Sequence, residues 1–184
     1  MKKESTFKFI LRLGVTLFLI SAVTAGLLAG VNSITAPRIA QINAQKQIDA
    51  MSAVVPDADT AEPVEYEDPN GVILEVYKTA SAYAIKVAAN GFGGTVEMMV
   101  GVDQAGNVLG ISIINHSETA GLGAVAADKT EKGEAFRSQF AGMSGDVAVV
   151  KDGGGVEAIT GATITSRAIC AGINAALDYV KNAG

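Results

Sequence analysis

The chain has 184 residues, a net charge of −5 and 49% apolar residues, with a single cysteine, Cys170, and a single histidine, His116. One Cys and one His exclude a structural zinc site, a cysteine-held iron–sulfur cluster and a disulfide framework within the chain, so any redox chemistry must use a cofactor that needs neither ligand. Charge is uneven: residues 1–38 carry five basic residues against one acid (+4), the rest nine against eighteen (−9), and an acidic main body excludes nucleic-acid binding, which needs a basic footprint.

Residues 1–12 form a short basic segment with Lys2, Lys3, Lys8 and Arg12. Leu13 to Val31 is free of charge, and the uncharged run continues through Ala36. About twenty apolar residues span a hydrocarbon core, so residues 13–36 are expected to be a transmembrane anchor. The competing reading is a cleaved signal peptide, whose apolar region is about 7–15 residues and thus shorter than this one. Four cations precede the span and only Arg38 closely follows it. The positive-inside rule then puts the N-terminus in the cytoplasm and the main body outside, at the cell (inner) membrane.

Residues 37–71 read as a stalk helix followed by a linker. Ile39, Ile42, Ile48 and Met51 fall roughly on one helical face, and residues 56–71 are acidic and proline-bearing. Residues 72–184 read as one domain. VILEVYK (72–78), AYAIKVAAN (82–90), TVEMMVGVD (95–103) and NVLGISIIN (107–115) have strand patterns, the last two flanking the turn QAG. An amphipathic helix is expected over 129–140, a short strand over VAVVKD (147–152) and a terminal helix from Ile164. Strands followed by helices indicate an α+β fold with an antiparallel sheet and flanking helices.

Three segments could carry chemistry. TGATITSRA (160–168) crowds hydroxyls before the terminal helix. The plain reading makes Thr160 or Thr163 a helix N-cap. The functional reading notes that Gly161 and Ala162 leave the Thr163 hydroxyl sterically open at a helix start, which suits a phosphate. NHSETAGLGA (115–124) is either a glycine-permitted strand-exit loop or a loop whose backbone approaches a flat ligand. Its Glu118 is then a solvated acid or a site residue, and His116 has no second histidine to chelate with. GFGG (91–94) reads as a hairpin loop with Phe92 as a core plug. The glycines at 153–155 lack the signature of a phosphate-binding loop or a dinucleotide fingerprint and read as a connector.

The order of these segments resembles a known family. A span, GFGG, a strand pair, HSETAGLG and TGAT before a terminal helix look like RnfG, the FMN-binding component of the Rnf ion-translocating electron-transport complex. The equivalent FMN-bearing Nqr component of the sodium-pumping NADH:quinone reductase shares the domain and is the alternative, together with a stand-alone exported FMN protein or a non-flavin anchored assembly domain. The resemblance implies FMN attached through a phosphoester to Thr163, with Thr160, Gly161, Ala162 and Thr165 as neighbours. It implies that Glu118, Thr119, Gly121, Leu122 and Gly123 line the isoalloxazine. It also implies a flavin transferase that takes FMN from FAD, other membrane subunits as partners, and an electron-relay role with no complete activity alone. Two departures stand out: Ala120 replaces the family's proline, which should loosen the loop, and Glu157 stands where the family has Asp.

Overall fold

The structure, a computed structural model, describes residues 6–183. Lys2 and Lys3 lie outside the described residues. The chain divides into two compact units, Met1–Gln45 and Lys46–Gly184.

Helix α1 (Thr6–Val54) takes in both the expected anchor and the expected stalk, with Pro37 inside it. In its first unit the described side chains are exposed, and an 18-residue window reaches a mean hydropathy of 2.1, long and apolar enough to cross a membrane. Several hydroxyls within this stretch bond back to the helix itself: Thr16 donates to the Arg12 carbonyl at 2.8 Å, Ser33 to Gly30 at 2.8 Å and Thr35 to Val31 at 3.0 Å. Such back-bonding spares a hydroxyl the cost of an apolar surrounding.

The second unit is built on a five-stranded antiparallel sheet in sequential order: β1 (Glu62–Val64), β2 (Ile73–Lys78), β3 (Ala82–Asn90), β4 (Thr95–Asp103) and β5 (Val108–Asn115). The four strand patterns are present, and the acidic segment adds β1, which pairs Glu62 with Lys78 and Val64 with Val76. The central strands are covered on both faces, so they read as nearly continuous apolar runs. Tyr83, Ile85 and Val87 of β3 and Met98, Val100 and Val102 of β4 face one core with Ile169, Ile173, Leu177 and Val180 of the terminal helix α3 (Thr163–Ala183). Ala82, Ala84 and Met99 face the other side, where the last turns of α1 lay down Ala50, Met51 and Val54. Ile173 is wholly buried, and its truncation to Ala should cost about 2–5 kcal/mol.

On the α1 side of the sheet a polar cluster closes on itself. Gln47 Nε2 donates to Glu75 at 2.5 Å and to Tyr77 Oη at 2.9 Å, and Tyr77 donates to Glu75 at 2.5 Å. Lys86 Nζ bonds Glu75 at 3.0 Å and Gln47 Oε1 at 3.3 Å. Burial alone would raise the Glu75 carboxyl, but hydrogen bonds from Tyr77, Lys86 and Gln47 bring it below the usual carboxylate range. Burial and the bond to Glu75 push the Tyr77 phenol up to about 12.

Helix α2 (Glu131–Ser138) lies within the expected 129–140, with Thr130 as its N-cap accepting from Gly133 N–H. The strand expected at 147–152 does not form. Val149 makes a single parallel bridge to Val156, and Val150–Asp152 is a 3-10 turn. A side chain explains this: Asn174 of α3 accepts from Val147 N–H at 2.8 Å and donates to its carbonyl at 2.9 Å, taking the place a neighbouring strand would fill.

Candidate functional site

The three segments singled out in the sequence meet at one end of the domain. Two of them are built as the same tight turn. In Thr119–Leu122 the Leu122 N–H donates to the Thr119 carbonyl at 3.1 Å with Gly121 at φ +75°. In Ile159–Ala162 the Ala162 N–H donates to Ile159 at 2.9 Å with Gly161 at φ +79°. A positive φ only at the third residue is the type II turn, which selects glycine there. The turns are in contact, since a Cβ on Gly161 would sit 3.0 Å from Leu122 Cδ2.

Glu118 ties these loops together. Its Oε1 accepts from the Gly93 N–H at 3.0 Å, and its Oε2 accepts from Thr165 Oγ1 at 2.7 Å. It is half-buried, so it is not a solvated loop acid. The space around it is reserved by glycine: a Cβ on Gly123 would lie 2.3 Å from Glu118 Oε2 and 2.6 Å from Thr165 Oγ1. GFGG is therefore more than a hairpin loop, because its backbone supplies a bond to the clamp. Phe92 is 72% exposed and plugs no core. His116 Nδ1 accepts from the Glu118 N–H at 3.2 Å and so steadies the same loop.

The hydroxyls of TGATITSRA have separate fates. Ser166 is buried, donates to the Ala162 carbonyl at 3.1 Å and accepts from the Ile159 N–H at 3.0 Å. Thr165 is 1% exposed and committed to Glu118. Thr160 is exposed on its turn, and Thr163 is half-buried. The capping expectation fails for both of these. Helix α3 begins at Thr163, and the Ala162 carbonyl already accepts the first helical bond, from Ser166 N–H at 3.0 Å. The N-cap position thus belongs to Ala162, which has no side-chain acceptor. Among the described residues the Thr163 hydroxyl has no hydrogen-bond partner, and the N–H groups of residues 163–165 reach no carbonyl outside the helix. Free N–H groups at a helix start carry partial positive charge.

A groove of about 970 Å³ runs beside this end, between α2 and the two turns. Gly121 and Thr160 form its rim, and Val125, Phe136 and Ile159 give it apolar walls. Gln139 braces the wall, accepting from Glu157 N–H at 2.8 Å and donating to its carbonyl at 3.3 Å. Glu157 thus meets α2 through its backbone. The size and lining suit a flat, mainly apolar ligand. A second groove, about 860 Å³ between residues 66–73 and the C-terminal half of α3, contains none of the motif residues.

Thr163, Glu118 and both glycine turns are legible in the sequence, whereas Gln139 and an Arg167–Asp152 pair emerge only in the fold. Arg167 Nε and Nη2 each bond Asp152 at 2.6 Å. The one sequence signal for this pair is a cation four residues after Thr163, one turn on along the same helical stripe.

Two family models match the chain: the FMN-binding domain over residues 91–178 and the RnfG N-terminal region over residues 1–54. The curated proteins it resembles are G components of ion-translocating complexes. The chain is 33% identical to that of the Na⁺-translocating ferredoxin:NAD⁺ oxidoreductase complex of Acetobacterium woodii, covering 98% of this chain and 96% of that protein. It is 35% identical to that of the proton-translocating ferredoxin:NAD⁺ oxidoreductase complex of Clostridium ljungdahlii, covering 97% and 93%. It is 32% identical to that of the ion-translocating oxidoreductase complex of Methanosarcina acetivorans, covering 96% and 97%.

Proposed function

This chain belongs to the RnfG family of the ion-translocating oxidoreductase complexes, and from that premise we propose that it is a membrane-anchored electron relay whose Thr163 carries FMN through a phosphoester. An FMN-binding domain within a component of an oxidoreductase complex supports the electron-transfer role. The observation that carries the choice of Thr163 is the contrast between its unpartnered, half-exposed hydroxyl and the buried, Glu118-bound hydroxyl of Thr165. The residues fit the group. The Thr163 hydroxyl is half-exposed, the first amides of α3 offer hydrogen bonds to a phosphate, and the adjoining groove has room for a ring system.

Once held here, the flavin supplies transfer of one or two electrons. Glu118 holds the loops that border the site, and the apolar groove wall excludes water from one side of a bound ring. In this reading the Thr163 Oγ would accept the FMN phosphoryl group from FAD, with AMP as the leaving group and the hydroxyl proton given up. No base contacts Thr163 among the described residues, and an unassisted threonine is a poor nucleophile. That supports a separate flavin transferase as the catalyst. A covalent tether keeps the cofactor on a domain that faces away from the cytoplasm.

Residues 13–36 are the anchor in this reading, with residues 1–12 cytoplasmic and the domain of residues 72–184 outside. The anchor has no charged residue, and charged residues mark ion pathways within membranes, so the ion path is assigned to the other membrane components of the Rnf complex. Intact mass and peptide mapping of chain from a transferase-containing host test the reading. We expect a gain of one FMN less water on the peptide containing Thr160–Arg167. An unmodified peptide from that host would refute it.

A further inference from the structure

We propose that Arg167, aimed by Asp152, is the side chain that holds the phosphate of the group carried on Thr163. This rests on the reading above. Helix α3 has two cations, Arg167 and Lys181. Lys181 lies in the last turn, and Arg167 follows Thr163 by four residues, so the two share a helical stripe with Cβ atoms about 6 Å apart. Helical side chains lean toward the N-terminus and cover the turn before their own Cα. At this spacing the turn that starts at Thr163 lies on the stripe that Arg167 covers, and the side chain's partner, Asp152, fixes the plane of its guanidinium.

The pairing with Asp152 favours this use. Asp152 takes Nε and Nη2 of the guanidinium, each at 2.6 Å, and hydrogen bonds from Arg167 hold its carboxyl below the usual range. Nη1 has no partner among the described residues. A guanidinium has five donors in a rigid fork, so a carboxylate on one edge fixes the plane and leaves the other donors free for a second anion. The 3-10 turn Val150–Asp152 and the bridge from Val149 to Val156 set the position of Asp152. This gives the segment expected as a strand over 147–152 a role that the sequence did not suggest. Arg167 would contact the phosphate, and Asp152 is a positioning residue.

The deciding experiment compares full-length chain with and without FMN on Thr163, both made in the native host, the second from a strain lacking the transferase. Each is treated with phenylglyoxal and the adduct at Arg167 is quantified by mass spectrometry. Modification should be about tenfold slower in the flavin-bearing chain, the fold-change that a charge-assisted hydrogen bond is worth, while the exposed Arg38 reacts equally in both. Equal rates at Arg167 would overturn the proposal even with FMN mapped to Thr163, whereas absence of FMN would overturn the underlying reading instead. As a second measurement, the ³¹P resonance of the tethered phosphodiester should move in Arg167→Gln and stay in place in Lys151→Gln. If Arg167→Gln matches the parent, the phosphate is held by other groups. Should Arg167→Gln take up no flavin, the phenylglyoxal comparison decides alone.

Discussion

The Gln47–Glu75–Tyr77–Lys86 cluster and the Glu118–Thr165 clamp use the same ingredients, a half-buried carboxylate and its donors, yet they finish differently. In the first, every side-chain polar group has a partner within the cluster. In the second, the carboxylate secures one threonine and a backbone amide, and leaves the threonine two residues earlier with a free hydroxyl beside free helix amides. A closed network stabilises and specifies a packing arrangement. An open one, kept in place by a rigid neighbour, holds a group ready for something outside the chain. The difference separates a structural polar cluster from a candidate site without appeal to residue type.

The largest test of this contrast is a pair of substitutions. Thr163→Ala should remove all covalent flavin from chain made in the native host, and Thr165→Ala should keep it, as read by in-gel flavin fluorescence. The opposite pattern would reverse the assignment of free and clamped hydroxyls. Next comes the clamp itself. Glu118→Ala leaves the Thr165 hydroxyl and the Gly93 N–H without their acceptor, and should cost about 1–3 kcal/mol in denaturant unfolding of the full chain in detergent. A loss no greater than that of an exposed control such as Glu131→Ala would show that the clamp holds nothing.

The closed cluster should reveal itself through pH. The folded-state value of Glu75 is lowered, so its stabilising contribution is present above the ordinary carboxylate value and lost as pH falls below about 4. The Tyr77 value is raised from 10.0 to about 12, so its contribution is whole below pH 10 and lost as pH climbs toward 12. The melting temperature should therefore fall at both limbs, and Tyr77→Phe should flatten the alkaline one. If the alkaline limbs of parent and Tyr77→Phe superpose, Tyr77 is not coupled to Glu75 in this way.

The smallest expected effect is in the loop whose proline is missing. Ala120 is the second residue of the Thr119–Leu122 type II turn, a position that favours proline. Its N–H makes no backbone bond among the described residues. Ala120→Pro should stabilise the chain by about 0.4–1 kcal/mol through the unfolded state, visible as a small rise in the denaturation midpoint. A destabilised variant would show that the turn has a geometry proline cannot adopt.

The legible part of this protein was local. A charge-free run of apolar residues declares a helix long and apolar enough to cross a membrane, apolar runs of strand length between turn signals declare strands, and a glycine between polar loop residues declares a turn. The strand expected at 147–152 does not form because the partner that satisfies Val147 is a side chain, Asn174, 27 residues away. The acidic segment concealed β1 because three residues at a sheet edge need only backbone pairing and little apolar character.

The apolar helix, the antiparallel order of strands, the glycine turns and the hydroxyl cluster before the last helix were all written in the chain, since each depends on neighbours within one turn or one hairpin. Which of those hydroxyls is already spoken for was settled by packing alone. Glu118 and Thr165 are 47 residues apart, and no period or spacing in a chain records a bond between two loops that meet only after the sheet and α3 have packed.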